Sequence, residues 1–146
     1  MGDRENAAVD LFSKSYNCAQ SVFAAFCGEF GLDAETALKI ASGFGGGMRC
    51  GEACGAATGA VMAIGLKCGL YKEGDLEQKR YCNNKTYEFL HKFKEENGSI
   101  ICRELLGADV RTTEDFARPE LRDLFKTFCP KMVASAVRIL EGMEFD

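Results

Sequence analysis

Apolar residues recur along this chain at spacings of three and four, and no Val/Ile/Thr-rich stretch alternates apolar with polar, so the pattern predicts helices throughout. A first helix is expected over about Arg4 to Phe12, ending at Ser13-Lys14-Ser15. Asn17 is placed to cap the next, Cys18 to Phe30, whose stripe runs through Val22, Phe23, Phe26 and Phe30 before Gly31 closes it. Asp33 caps a third, through Leu38 and Ile40 to Ser42, and the run Gly43 to Gly47 that follows is too rich in glycine to stay helical.

From about Ala53 the residues are mostly small, with glycines four apart at Gly55 and Gly59 and again at Gly65 and Gly69. Small residues on one face let another backbone approach closely, which predicts a central position for this helix. A long amphipathic helix is expected from Asp75 to Glu96, stopped by Asn97-Gly98, and a short one from the Ser99 cap through Cys102 to Leu106, stopped by Gly107. Ala108 to Arg118 reads as loop or a short turn, with a one-turn helix starting at Thr113 as the alternative. The last helix starts near Pro130, with Cys129 at its cap and Val133, Val137 and Leu140 facing inward. No composition shift or repeat divides the chain, so residues 1–146 are expected to form a single all-α domain, a bundle of about six helices around the small-residue one.

A chain of 146 residues can bury a core without disulfide staples, and its eight cysteines are too sparse for a secreted mini-scaffold. The N-terminal stretch carries acids and lacks the apolar run of a signal peptide, so a cytoplasmic location with reduced thiols is expected. A net charge of −4 with interspersed signs offers no footprint for nucleic acid, and the longest apolar stretch, Ala56 to Gly65, is too short for a membrane span. A homo-oligomer stays open.

The cysteines carry the candidate chemistry. Cys18, Cys54, Cys102 and Cys129 each fall in the first turn of an expected helix, where unpaired N–H groups and partial positive charge favour a thiolate. Arg49, Arg103 and Lys131, close in sequence to Cys50, Cys102 and Cys129, would lower thiol pKa values further. Cys50 and Cys54, four apart, could bring their sulfurs together. Cys27 and Cys68 lie toward helix C-termini and Cys82 lies on the stripe of Phe89 and Phe93; these three read as buried small hydrophobes. Helical rise places Cys68 roughly 21 Å along the axis from Cys54.

The spaced motifs resemble those of the C_GCAxxG_C_C family of redox-active proteins. The segments that carry the resemblance are Asn17-Cys-Ala-Gln-Ser-Val22, Ser42 to Met48, Arg49 to Gly59 with Cys54-Gly-Ala at its centre, Asn97 to Gly107, and Cys129 before the last helix. They span nearly the whole chain in order. The resemblance implies Cys18, Cys54, Cys102 and Cys129 as the family's cysteines and implies redox chemistry; it names no reaction, substrate or cofactor. One departure is the order Cys54-Gly55-Ala56 where the family name has glycine before cysteine, which moves the sulfur by about 100° if the segment is helical.

Three functions follow. The first is thiol–disulfide exchange or electron transfer with a redox partner, an oxidoreductase role in which Cys54 is the nucleophile and Cys18, Cys102 or Cys129 its partner; the missing Cys-x-x-Cys weighs against it. The second is an iron–sulfur cluster or a zinc ion held by Cys18, Cys54, Cys102 and Cys129, with Cys50 as a fifth candidate. The third is a non-catalytic helical scaffold. Hydrolysis is disfavoured, because the only histidine, His91, sits beside Lys92 on a charged face, and Gly45 to Gly47 lacks the Lys-Ser/Thr of a phosphate loop.

Overall fold

The computed structural model describes residues 1–146 and is helical throughout, with nine α-helices and no strand. They are α1 (Asp3–Ser13), α2 (Cys18–Cys27), α3 (Ala34–Ala41), α4 (Gly55–Cys68), α5 (Leu76–Asn97), α6 (Cys102–Leu106), α7 (Thr113–Phe116), α8 (Arg122–Thr127) and α9 (Cys129–Glu141). The all-α expectation holds and the count of about six falls short. The helices beyond it are short, and α8 lies in 119–128, which the sequence reading left unassigned although Leu121, Leu124, Phe125 and Phe128 have helical spacing. No helix is long and apolar enough to cross a membrane.

Local chemistry fixes where α2 begins. Asn17 Oδ1 accepts from the Gln20 amide (2.8 Å) and Gln20 Oε1 accepts from the Asn17 amide (2.9 Å), a reciprocal cap. The same two side chains donate to the end of α3, Gln20 to the Leu38 carbonyl and Asn17 to that of Ser42, each at 3.0 Å. The first residue of α2, Cys18, is thereby pinned to a neighbouring helix. The other end of α2 departs from the expected span: the α-helix stops at Cys27 and tightens into a 3₁₀ turn, Gly28–Phe30, before Gly31 turns left-handed at φ 82°. Such tightening lets the last carbonyls find nearer donors, and Leu32 N–H closes the motif on the Cys27 carbonyl.

The main core gathers Val22, Phe23 and Phe26 of α2, Ile64 and the alanines of α4, Phe89 and Phe93 of α5, and Val133 and Val137 of α9. Helix α4 packs against α2, α5 and α9. Its glycines differ in role: a Cβ on Gly59 would lie 2.6 Å from the Ala19 carbonyl oxygen, whereas one on Gly65 would meet nothing within 4 Å. Gly59 therefore sets the approach of α4 to α2. A second, smaller cluster of Cys102, Leu106, Val110 and Leu121, with Phe116, Phe125 and Phe128 against it, forms where α6, α7 and α8 fold together.

The glycine run before α4 leaves the right-handed helix, as its composition demands. Gly46, Gly47, Met48 and Arg49 all have φ between 58° and 63°, giving a left-handed turn. For Met48 and Arg49 that conformation costs about 1–2 kcal/mol each.

Gly59→Ala should destabilise the fold by about 1–3 kcal/mol because α2 must move away from α4. Gly65→Ala, in an open and exposed helical position, should stabilise it by about 0.5–1 kcal/mol. Urea denaturation of the two variants checks both signs.

Candidate thiol site

Two of the cysteines are joined by backbone. Ala53 and Ile101 form one antiparallel bridge, in which the Cys54 amide donates to the Ile100 carbonyl (2.7 Å) and the Cys102 amide to the Glu52 carbonyl (2.6 Å). The starts of α4 and α6 are thus clasped together across nearly fifty residues of chain. The left-handed turn presses onto this clasp: a Cβ on Gly47 would sit 2.4 Å from the Glu52 amide and 2.9 Å from Cys102 Cβ. Only glycine fits.

Cys18 arrives from the pinned start of α2. A Cβ on Gly55, the residue after Cys54, would stand 3.2 Å from Cys18 Cβ, so these two helix starts abut. Cys129 arrives on α9, separated from the end of α8 by Phe128 alone, with Pro130 inside its first turn. Its thiol and that of Cys18 are close enough for each to shift the ionisation of the other. All four cysteines line one cavity of about 860 Å³.

Helix placement follows the sequence closely. Cys18, Cys102 and Cys129 are the first residues of α2, α6 and α9, and Cys54 is the N-cap of α4. Because Cys54 lies just outside its helix, the Cys-Gly order does not act as a 100° helical rotation. It leaves glycine where α2 crosses.

The thiol chemistry departs from expectation, and burial is the reason. The Cys54 sulfur does interact with the Ala56 and Ala57 amides of the helix start, which favour the thiolate, yet desolvation is larger and pushes its pKa up to about 11. Cys102 is pushed up to about 12, first by burial and then by the neighbouring Cys54 and Cys129 charges, with Arg49 pulling the other way. Cys18 is raised well above the ordinary thiol value, chiefly by the neighbouring Cys129 and next by desolvation. Of the four, Cys129 is the one lowered: the Cys18 thiol beside it favours its thiolate by more than burial opposes it. Four acidic helix-start thiols are therefore replaced by one acidic thiol and its neighbour, beside two buried neutral ones.

Other candidates lie elsewhere. Cys50 follows the left-handed turn at φ −136°, with its thiol toward the Gly47 carbonyl (3.5 Å), and does not line the cavity, so it is not brought into the group as a fifth member. Arg103 turns to Glu52 (2.8 Å) and Lys131 is exposed and off the cavity wall; of the three predicted cations only Arg49 faces the thiols. His91 is exposed, 3.0 Å from Glu95. Cys27 is buried with its thiol toward the Ala24 carbonyl (3.3 Å). Cys68 is buried with its thiol toward the Ile64 carbonyl (3.2 Å), and burial, then the neighbouring half-buried Cys82, push its pKa up to about 11, a proximity that helix position alone does not predict. No three His, Cys, Asp or Glu side chains are grouped closely enough to hold a metal ion.

Sequence reasoning missed the wall opposite the thiols: Phe12 from α1, Phe116 from α7, and Arg122, Phe125 and Lys126 from α8. The helical spacing across 121–128 was the available signal.

No curated protein and no solved structure matches the chain. A family model does, that of "Putative redox-active protein (C_GCAxxG_C_C)", over residues 16–143, a stretch that contains all four cavity cysteines. The chain that brings these cysteines to one cavity belongs to the C_GCAxxG_C_C family.

Proposed function

We propose that this protein is a thiol–disulfide oxidoreductase that uses Cys129 as the attacking thiolate and Cys18 as the resolving thiol. The observation that carries the reading is that these two thiols share one cavity wall and act on each other's ionisation, that of Cys129 moving down and that of Cys18 up. Cys54 and Cys102, pushed up to about 11 and about 12, are protonated at neutral pH, so the nucleophile's role passes from Cys54 to Cys129.

In the first step the Cys129 thiolate attacks one sulfur of a substrate disulfide, RSSR, forming a Cys129–SR mixed disulfide and expelling RS⁻. Cys18 then loses its proton to the expelled thiolate or to solvent and attacks the Cys129 sulfur. A Cys18–Cys129 disulfide forms and the second RS⁻ leaves. Two protein thiols are oxidised and one disulfide is reduced to two thiols; the reverse sequence oxidises a dithiol partner.

Two measurements test this. Alkylation of the fastest thiol should rise with pH through an inflection below the free-cysteine value of about 8.5, because the lowered Cys129 pKa makes thiolate available earlier. Cys18→Ala should move that inflection upward, since the neighbouring thiol is gone, while Cys102→Ala leaves it in place. Separately, Cys129→Ser should slow reduction of a small disulfide about 100-fold or more, and Cys18→Ser should stop at the mixed disulfide, visible as adduct mass on Cys129. Unchanged disulfide reduction by Cys129→Ser would sink the proposal.

A further inference from the structure

The cavity is charged in one sense only. Arg49, Arg122 and Lys126 line it, and no aspartate or glutamate does, on a chain whose net charge is −4. None of the three makes an ion pair. Elsewhere Arg4, Arg103, Arg111, Arg118 and Arg138 all find carboxylates, and of the remaining arginines Arg49 and Arg122 are both on this wall.

Arg49 is held in place. The left-handed turn carries it, its guanidinium lies over the Phe116 ring at 4.3 Å from the centroid, and Phe116 stacks on Phe125 at 6.3 Å. Keeping two strained non-glycine residues there is explained if the guanidinium they present has a task. Most of the remaining wall is apolar, Phe12 and Phe128 included, with Ser13, Ser15 and Asn17 as uncharged polar residues. Uncompensated cations on an aromatic wall complement one kind of small molecule: an apolar or aromatic body bearing a carboxylate or similar anion.

We infer that the cavity selects small organic anions with an aromatic or apolar body, Arg49, Arg122 and Lys126 receiving the anionic group. The disulfide exchanged beside them is then an anionic one; this second half rests on the thiol–disulfide reading above.

The first arm of the test needs no sulfur chemistry. Titration calorimetry of the reduced protein with naphthoate and with the neutral naphthalenemethanol should show the anion binding about tenfold or more tightly, with the gap narrowing as salt is added. The double variant Arg122→Gln, Lys126→Gln alters two exposed, unpaired side chains of α8 and should fold normally, as circular dichroism and Tm would show. It should weaken naphthoate about tenfold and leave naphthalenemethanol unchanged. Equal binding of the two probes, no binding of either, or no effect of the double variant on naphthoate overturns the inference.

The second arm compares reduction of the dicarboxylate disulfide of thionitrobenzoate with that of the neutral disulfide of thiopyridine. The double variant should lower the rate on the first about tenfold and spare the second. Anion binding without any disulfide exchange would leave the cavity's selectivity standing and remove the proposed activity. Exchange with no charge preference would do the reverse.

Discussion

The near-contact of backbones at Gly59 and Ala19 governs the rest of the molecule. It brings α4 against α2 at a distance no side chain permits, and in doing so it sets the starts of the two helices side by side, Gly55 against Cys18. The bridge at Ala53 and Ile101 adds α6 to the same end, and the packing of α9 against α1, α2 and α4 brings Cys129. Two of the four helix starts abut because Gly55 and Gly59 let α4 close on α2.

Within that convergence two opposing effects act on each sulfur. Helix-start N–H groups favour charge, and withdrawal from water disfavours it. At Cys54 the contest is visible in one residue, since the Ala56 and Ala57 amides are engaged and burial still prevails. At Cys129 a second thiol changes the outcome, because Cys18 beside it favours the thiolate by more than burial opposes it.

Much of this was legible in the sequence, and the boundary is physical. Caps at Asn17 and Asp33, stops at Gly31, Gly98 and Gly107, and the four cysteines at helix starts are local signals that appear where the residues place them; Asp75, expected as the first residue of the long helix, is its cap, and the cap expected at Ser99 fails because Ile101 holds that position before α6. Three things depend on tertiary contact and were not legible: the burial that reverses the thiol pKa values, the clasp joining residues far apart in the chain, and the aromatic and cationic wall contributed by α7 and α8. The four successive left-handed residues are intermediate. Glycine richness at 43–47 announced a break, but continuation of the left-handed turn into Met48 and Arg49 runs against their own preferences and has no local signal.

The nearness of Cys68 to Cys82 has a consequence for how the chain's sulfur is counted. Cys68 ends the helix that Cys54 begins, and α4 holds the two about 21 Å apart along its axis, far beyond the reach of any disulfide. The thiol inventory is thus divided between compartments at opposite ends of one rod. A total thiol titration of the intact protein sums both, and a loss of two thiols does not say which end was oxidised. Electron stoichiometry for this molecule has to be assigned peptide by peptide.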